Sequence, residues 1–580
     1  MSPELGVLAW RRKEILAEQG RTGRKVLVIG FDSATFDVIE PLVADSKLPT
    51  FARMMEGGAW GRLRSTVPPF SAPAWASFLT GKNPGSHGIF GFFGPLRGRF
   101  RREVTSRLTM RGESLFGVAS RNGRRVGAIN VPFTYPPEVI DGFVLPGFMG
   151  AAGLRRETAT HPPGLLDEVR GRLGSYLPEV DTLPFFFTDE KEELIEKFYR
   201  VEEQRKQATL YLMDRYEWDL LTAVFISLDR VQHFFWKYMD RAHPAFDSVL
   251  AERYGGVIHG FYEFLDTALG EIIDRAGEGT TVVVLSDHGA GPNTKMFHMN
   301  VWLRQQGLLR LRPISYPLWR IRLPAILYKL LSKMGVRYFT TRRLFPGLRG
   351  GNWKDLDPRK AINPYKVIDW ARTRAYGGSL AEQAIYVNVR GREPEGIVEP
   401  DGEYRKVCEE IERGLLALRD PQTGEQVVDR VYRKEEVFRG EQSGSSPDLI
   451  VRAEDYGCKL TDYIYPRHLI ETERWHSGSH REEGILLVMG EGVEAGARLD
   501  GAKIVDVAPT VLHLLGVPVP EAMEGRPLEE AMTPSYRAHH PVVYEERGVA
   551  ATEAREEREA VSEEEAEEVR ERLRGWGYLG

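Results

Sequence analysis

The sequence predicts an α/β fold whose mainly parallel central sheet is covered by helices on both faces. Short apolar segments with the character of strands buried on both faces recur along the chain. Between them lie helical patterns, the clearest at 189–218 and 254–276. Strands that alternate with helices indicate a parallel sheet, whose functional groups gather at the carboxyl ends of the strands. The strand-like segments are 26–29, 125–131, 220–229, 280–289 and 484–490.

Composition supports a large globular core. The chain has 580 residues, of which 42% are hydrophobic and 28% are charged, and this balance excludes a wholly disordered or fibrous protein. The length fits one large core with insertions as well as it fits several domains of about 150 residues. Only Cys408 and Cys458 occur, which excludes a disulfide framework or a cysteine-based zinc module. Any metal site must therefore use His, Asp and Glu.

Membrane and targeting signals are missing from the sequence. No apolar run approaches the ~18 residues of a membrane-spanning helix. Residues 1–24 form a charged, helical extension without the apolar stretch of a signal peptide. We therefore expect a cytoplasmic protein.

Two segments depart from the α/β pattern. Residues 310–349 carry ten Lys and Arg and no Asp or Glu, interleaved with aromatic side chains. This segment is either a solvated, cap-forming insertion or a surface for anionic lipid headgroups or a polyanionic substrate. No recognisable nucleic-acid-binding module accompanies it. Residues 545–580 contain twelve Glu and six Arg, and Ser562 and Glu565 form a capping box that predicts a charged helix.

Acidic residues follow three of the predicted strands. These residues are Asp32, Asp229 and Asp287, with His233 four positions after Asp229 and His288 directly after Asp287. A single Asp–His pair would most simply be a helix cap beside a half-buried histidine. Their repetition at one edge of the sheet instead favours a catalytic site for Zn²⁺ or Mn²⁺, which both accept carboxylate and imidazole ligands.

A serine precedes the next predicted helix. Ser71 lies in PPFSAPAWASFLTG, where Pro73 occupies the first helical turn. A hydroxyl at this position faces the positive end of the helix dipole, which stabilises an alkoxide and binds phosphoryl oxygens. The simpler interpretation is a serine that only caps the helix.

The order of these motifs resembles the alkaline phosphatase superfamily. The sequence contains GFD after the first strand, PFSAPAWASFLTG followed by NPGSHGIFGF, then D-x-x-x-H, SDHG and GSH. It is most similar to the type I phosphodiesterase/nucleotide pyrophosphatase branch, and within it to a prokaryotic group described as alkaline phosphatase family proteins. The resemblance covers residues 25 to about 300 and about 365 to 530.

The resemblance implies an alkaline phosphatase-like three-layer sandwich with cap insertions. The expected catalytic domain comprises residues 25–309 and 360–530. The N-terminal helical extension (1–24), the basic aromatic insertion (310–359) and the charged C-terminal helical tail (531–580) lie outside it.

The resemblance also implies a chemistry. It predicts two divalent metal ions, Zn²⁺ with Mn²⁺ as the alternative, and a metal-dependent hydrolase of phosphodiesters or phosphomonoesters. Ser71 would be the nucleophile and would form a phosphoseryl intermediate. A phosphomutase of the same superfamily and a noncatalytic binding protein on this fold remain alternatives. The implied ligands are Asp229, His233 and His480 for one ion, and Asp32, Asp287, His288 and the Ser71 oxygen for the other.

Two departures from the family pattern concern substrate binding. Nucleotide pyrophosphatases have an Asn 21 residues after the nucleophile that binds a phosphoryl oxygen, and here that position is Phe92. Lys82, Asn83 or Lys295 would then have to supply the missing donor. His476 is a candidate for substrate contact or a replacement for His480. Trp75 stands where sulfatases have Arg, which argues against sulfatase chemistry.

Overall fold

A seven-stranded sheet forms the centre of the molecule. The computed structural model describes residues 23–545 except 97–101, 148–158, 186–187, 313–363, 379–381, 465 and 467. The order of the strands is β2-β16-β6-β1-β5-β3-β4. These strands are β1 (Lys25–Phe31), β2 (Ala59–Arg64), β3 (Val126–Ile129), β4 (Gly142–Leu145), β5 (Leu220–Phe225), β6 (Thr280–Leu285) and β16 (Glu483–Met489).

The sheet confirms the predicted parallel arrangement with one exception. β1 lies between β5 and β6 and is parallel to both. β16 is antiparallel to β6 and to β2. The five predicted segments supply the five inner strands, because buried strands are continuous apolar runs. The edge strands β2 and β4 were not predicted. β2 alternates buried and partly exposed residues, so it lacks the continuous apolar run of an inner strand.

Helices cover both faces of this sheet, and a hydrophobic cluster lies against each face. The predicted helical stretch 189–218 contains α7, and the stretch 254–276 contains α10. The helices are α1 (Phe36–Ala44), α2 (Pro49–Gly57), α3 (Ser71–Thr80), α4 (Pro84–His87), α5 (Leu115–Arg121), α6 (Leu165–Leu173), α7 (Glu192–Arg215), α8 (Ser227–Met239), α9 (Ser248–Tyr254), α10 (Val257–Ala276), α11 (Met299–Gln305), α12 (Gly402–Leu416), α13 (Lys434–Val437), α14 (Val507–Leu514) and α15 (Pro534–His539).

A second unit has its own hydrophobic cluster, and we call residues 295–312 and 364–472 the small lobe. Its four-stranded sheet has the order β11-β12-β10-β9, and a three-stranded sheet has the order β13-β8-β14. The remaining strands are β7 (Gly289–Pro292), β8 (Lys295–His298), β9 (Ala375–Gly377), β10 (Ala384–Val387), β11 (Val428–Arg433), β12 (Leu449–Ala453), β13 (Cys458–Thr461), β14 (Ile470–Thr472), β15 (Gly478–Arg481), β17 (Val519–Pro520) and β18 (Tyr544–Glu545).

Parts of the predicted extensions lie outside the described residues. This applies to residues 1–22, to residues 313–349 of the proposed lipid-binding surface, and to the predicted capping box at Ser562 and Glu565. Residues 531–545 are described and pack on the body of the protein through β18, which pairs with β17. Within the described part of the chain, no helix is both long and apolar enough to cross a membrane.

Candidate metal centre and active site

The predicted acidic residues and histidines come together at one edge of the central sheet. Asp32 follows β1 directly, and Asp287 and His288 lie between β6 and β7. Asp229 is in the first turn of α8, which begins two residues after β5 ends. Because β1, β5 and β6 are parallel neighbours, the segments that follow them meet in space.

Asp229, His233 and His480 form a compact triangle of donor atoms. His233 Nε2 lies 3.2 Å from Asp229 Oδ1 and 3.2 Å from His480 Nε2. The third edge, from His480 Nε2 to Asp229 Oδ1, is 3.4 Å. Donors bound at ~2.0–2.2 Å to a tetrahedral ion are separated by roughly 3.3–3.6 Å. The triangle therefore has the size of a zinc-like coordination sphere.

Backbone carbonyls fix the protonation of all three histidines. His233 Nδ1 donates to Gly478 O at 2.7 Å, and His480 Nδ1 donates to Pro69 O at 3.0 Å. His288 Nδ1 lies 3.1 Å from Gly289 O. A carbonyl can only accept, so each Nδ1 carries the proton, and each Nε2 presents a lone pair to the centre. Two lone pairs 3.2 Å apart on His233 and His480 repel each other unless a cation lies between them.

The hydroxyl of Ser71 meets the second group of donors. Asp32, Asp287 and His288 offer ligand atoms within 4.8 Å of one another. His288 Nε2 lies 3.3 Å from Asp287 Oδ2 and 3.8 Å from Asp32 Oδ1. Ser71 Oγ donates to the same Nε2 at 3.1 Å. Ser71 is the first residue of α3 and its side chain does not cap the helix, so its hydroxyl points into the donor cluster.

The carboxylates of the cluster lack hydrogen-bond donors on the side that faces the histidines. Among the described residues, none donates a hydrogen bond of acceptable geometry to Asp32 Oδ1, Asp229 Oδ1 or Asp287 Oδ2. Burial and the neighbouring carboxylate of Asp229 raise the pKa of Asp287 to about 8. Burial, followed by the charge of Asp287, also raises the pKa of Asp32.

These observations fit divalent cations. Three buried carboxylates and the Nε2 atoms of three imidazoles converge here, and positive charge from bound cations would satisfy all of them. His288 belongs to two overlapping donor sets, because Asp229, His288 and His480 also lie within 4.8 Å of one another. The donors therefore form one continuous cluster.

Two further predicted residues lie beside the cluster. The His476 ring stacks on the His233 ring, with centroids 3.9 Å apart, while His480 occupies the donor triangle. Phe92 is buried and packs edge-on against Phe70 at 4.7 Å, and Phe70 stacks on His480 at 6.1 Å. Phe92 thus contributes apolar support behind a histidine instead of the amide that nucleotide pyrophosphatases have.

The three predicted replacement donors lie elsewhere. Lys82 and Asn83 follow the far end of α3, which at ~1.5 Å rise per residue is roughly 15 Å from Ser71. Asn83 Oδ1 accepts hydrogen bonds from Gly85 N and Arg439 N. Lys295 pairs with Asp420 and Glu454 at 2.9 and 2.7 Å. Asn83 and Lys295 therefore have structural partners away from the cluster.

Several residues of the site were not predicted from the sequence. Trp75 Nε1 donates to Asp32 Oδ2 at 3.1 Å, and Arg230 forms a buried ion pair with Asp229. Lys459 Nζ lies 3.4 Å from His476 Nδ1. Arg230 is adjacent in sequence to a predicted ligand and could have been considered. Lys459 comes from the small lobe, and no local pattern connects it with the cluster.

A family model agrees with this geometry. The model of type I phosphodiesterase/nucleotide pyrophosphatase matches residues 26–481, which span the donor cluster from Asp32 to His480. This chain belongs to that family. The predicted membership of the alkaline phosphatase superfamily is therefore confirmed.

Solved structures of another protein show the same fold. Phosphonoacetate hydrolase from Sinorhizobium meliloti 1021, in complex with phosphonoformate, superposes with a TM-score of 0.51 at 17% identity. That comparison covers 85% of the present chain and 95% of the hydrolase chain. The same hydrolase with phosphonoacetate gives a TM-score of 0.50 at 16% identity, with the same coverage. At this identity the likeness concerns the fold, and it confirms the mostly parallel α/β architecture.

One curated relative matches a short part of the sequence. It is the 2,3-bisphosphoglycerate-independent phosphoglycerate mutase of Cereibacter sphaeroides (strain ATCC 17025 / ATH 2.4.3), 35% identical over 124 residues. The match covers 21% of the present chain and 19% of the mutase.

Proposed function

We propose that this protein is a metal-dependent phosphoester hydrolase that acts through a phosphoseryl intermediate on Ser71. The observation that carries the proposal is the position of the Ser71 hydroxyl. Ser71 Oγ lies 3.1 Å from His288 Nε2, inside a cluster of buried carboxylates and imidazoles. Helix capping does not explain Ser71, because its side chain begins the helix without capping it and points at the converging ligand atoms.

Two divalent cations, Zn²⁺ or Mn²⁺, would be held by this cluster. Such ions would lower the pKa of a bound hydroxyl and balance negative charge on the phosphoryl group. One ion would have Asp229, His233 and His480 as ligands. The other would have Asp32, Asp287 and His288, with Ser71 at its edge.

In the proposed reaction, Ser71 is the nucleophile. Ser71 Oγ attacks phosphorus, the bond from phosphorus to the ester oxygen breaks, and the alcohol leaves. Water then attacks the phosphoserine and regenerates Ser71, which releases inorganic phosphate when the substrate is a monoester and a phosphomonoester when it is a diester. The amino end of α3 directs backbone N–H groups and the positive end of its dipole toward the phosphoryl oxygens.

The test is metal analysis followed by turnover of p-nitrophenyl phosphate and bis-p-nitrophenyl phosphate. We expect bound divalent metal, and a loss of kcat of at least about 10³-fold in Ser71→Ala because the nucleophile is removed. Ser77→Ala is the matched control, since Ser77 is a buried serine of the same helix that contacts His87. Acid quenching of the working enzyme should trap one phosphoryl group on the peptide that contains Ser71. Full activity in Ser71→Ala would refute the proposal.

The partial match to a phosphoglycerate mutase favours a second candidate, a phosphomutase that returns the phosphoryl group to its substrate. The two candidates differ in the fate of phosphate. With a phosphomonoester, a hydrolase releases one inorganic phosphate for each alcohol, whereas a mutase releases little phosphate and yields an isomer. With a diester, a hydrolase releases an alcohol and a phosphomonoester. Parallel measurement of phosphate and alcohol therefore distinguishes them, and inactivity toward both kinds of substrate would favour a noncatalytic protein.

A further inference from the structure

A buried lysine lies at the side of the metal cluster that is farther from Ser71. Lys459 belongs to β13 of the small lobe and is 7% exposed. Its Nζ lies 3.4 Å from Nδ1 of His476, whose ring stacks on His233 at 3.9 Å. The small lobe therefore places a positive charge next to a predicted metal ligand.

The turn that carries His476 is held rigidly. Glu473 Oε1 accepts hydrogen bonds from the backbone N–H groups of Arg474, Trp475 and His476 at 2.9, 2.8 and 3.1 Å. Asn293 Nδ2 donates to the carbonyl of His476 at 2.6 Å. The imidazole thus has a fixed position before any ligand arrives, which reduces the entropy lost on binding.

The Lys459–His476 pair offers donors of two kinds. An ammonium group has donors and no acceptor, so Lys459 donates to the ring of His476. Its Nδ1 accepts from the ammonium group of Lys459, and its proton therefore resides on Nε2. The pair combines an ammonium group with an imidazole N–H, a combination suited to anionic oxygens.

Four imidazole rings form a row that runs from the side of Ser71 to the side of Lys459. Ring centroids are separated by 3.9 Å between His288 and His480, 5.1 Å between His480 and His233, and 3.9 Å between His233 and His476. Ser71 contacts the first ring of this row, and Lys459 contacts the last. In-line displacement at phosphorus places the leaving oxygen opposite the attacking oxygen. A substrate whose scissile bond is aligned with this row would direct its leaving group toward Lys459.

We propose that Lys459 and His476 form a subsite for an anionic group, a carboxylate or a phosphate, carried by the leaving group of the substrate. This inference rests on the proposed function, because it takes its direction from attack by Ser71. The natural substrate would then be a phosphoester of an alcohol that is itself negatively charged.

Other cations near the site have different roles. Arg230 forms a buried ion pair with Asp229. Lys237, one turn after His233 on α8, donates to the carbonyl of Arg474 at 2.7 Å. Among the described residues of the small lobe, Lys459 is directed at the row of imidazoles through His476.

Paired substrates test the subsite. The esters 4-carboxyphenyl phosphate and 4-carbamoylphenyl phosphate have nearly the same shape and differ in the charge of the leaving group. We expect wild-type protein to prefer the carboxylate ester by about tenfold or more in kcat/KM. The ratio between the two esters should fall to near one in Lys459→Met, whatever the absolute rates, and should persist in Lys459→Arg. A 4-phosphonophenyl ester shows whether phosphonate is preferred to carboxylate.

Equilibrium binding provides a readout that does not depend on turnover. Calorimetry with metal-loaded Ser71→Ala protein and each intact ester should show the same preference, and adding Lys459→Met should remove it. Lys191→Met is the matched control, because Lys191 is a buried lysine that donates to the carbonyls of Phe185 and Thr188 away from the cluster. Thermal unfolding of each variant verifies that it is folded.

The outcomes separate the two proposals. Equal binding of both esters by the Ser71→Ala protein, or a preference that survives in Lys459→Met, would overturn the subsite. A charge preference in binding without turnover by wild type would support the subsite and contradict the proposed hydrolase. Loss of the preference in Lys191→Met as well would mean that buried lysines act nonspecifically, and would also overturn the assignment.

Discussion

At the scale of single residues, the orientation of each histidine distinguishes this site from an ordinary polar core. A buried histidine can be satisfied by one donor and one acceptor. Here His233, His288 and His480 each direct Nδ1 to a backbone carbonyl and leave Nε2 facing other acceptors. The backbone thus determines which nitrogen atom would bind a metal ion, which is the usual role of groups that support metal ligands.

Trp75 is predicted to support the metal site through Asp32. Its Nε1 donates to Asp32 Oδ2 at 3.1 Å, and its side chain is fully buried. Trp75→Phe removes this donor and leaves the carboxylate free to rotate. We expect the dissociation constant for Zn²⁺ to rise about 10–100-fold, the typical effect of losing such a partner, as measured by competition with a chelator.

The control for this variant is Trp370→Phe. Trp370 is also fully buried, and its Nε1 donates to the carbonyl of Tyr365 in the small lobe. Both variants should lower the melting temperature because both create cavities. Only Trp75→Phe should weaken metal binding, and equal metal affinities in the two variants would contradict a role for Trp75 at the site.

At the scale of secondary structure elements, α8 carries two predicted ligands and is anchored by a buried ion pair. Glu202 of α7 accepts a hydrogen bond from Ser227 N, the first residue of α8, at 2.7 Å. Glu202 and Arg205 are both fully buried and paired with each other. The negative charge of Glu202 also compensates the positive end of the α8 dipole.

Loss of this anchor should displace α8. Glu202→Gln leaves Arg205 buried without its countercharge, and we expect the free energy of unfolding to fall by about 3–5 kcal/mol. The double variant Glu202→Leu/Arg205→Met removes both charges and should recover much of that stability, but it still lacks the acceptor for Ser227 N. Chelator titration should therefore show weakened metal binding in the double variant, while wild-type affinity would contradict the anchoring role.

His87 fixes the connection between α3 and α4. It is fully buried, its Nδ1 accepts from Ile89 N at 3.1 Å, and its Nε2 lies 3.0 Å from Ser77 Oγ. Burial lowers its pKa to about 3. Between pH 6.5 and 3 the unfolded chain therefore binds more protons at His87 than the folded protein does, and stability falls as the solution is acidified.

A difference measurement isolates this effect from other titrating groups. The loss attributable to His87 should approach about 1.4 kcal/mol per pH unit within that window. His87→Gln should show a shallower decline than wild type when denaturant unfolding is followed from pH 6.5 to 3.5. Parallel declines in the two proteins would indicate that His87 does not set the acid sensitivity.

At the scale of the whole molecule, local sequence predicted the inner sheet better than it predicted the site as a whole. Asp32, Asp287 and His288 follow buried strands, so the topology of a parallel sheet was enough to bring them together. Lys459 reaches the same place from β13 of the small lobe, which joins β8 by pairing between residues 163 positions apart. Such long-range packing leaves no local pattern, and this is why Lys459 and Glu473 were missed.

The same reasoning explains why Asn83 lies away from the donor cluster. Asn83 was considered because it lies near Ser71 in sequence, but the ten-residue helix α3 separates the two positions. Its side chain instead joins the lobes, donating to the carbonyl of Val437 at 2.9 Å. Proximity along a helix therefore gave the wrong distance, whereas proximity across the sheet gave the right one.

The contact between the lobes near α4 depends on the absence of a side chain at Gly85. Gln442 N donates to Gly85 O at 2.8 Å, and Ser86 Oγ donates to Arg439 O at 3.0 Å. A Cβ added at Gly85 would lie 2.5 Å from Arg439 O and 2.6 Å from Arg439 N. Gly85→Ala must therefore push the two backbones apart, at a cost of about 1–3 kcal/mol in the free energy of unfolding.

Gly171→Ala is the matched control, because Gly171 lies in α6 and a Cβ there would meet nothing within 4 Å. That change should stabilise the protein by about 0.4–1 kcal/mol through helix propensity and a less flexible unfolded chain. Since Ser71 belongs to the large body and Lys459 to the small lobe, Gly85→Ala should also raise KM for 4-carboxyphenyl phosphate more than for its carbamoyl analogue. Equal increases in KM for the two esters would mean that the contact at α4 stabilises the molecule without setting the distance between the phosphoryl site and Lys459.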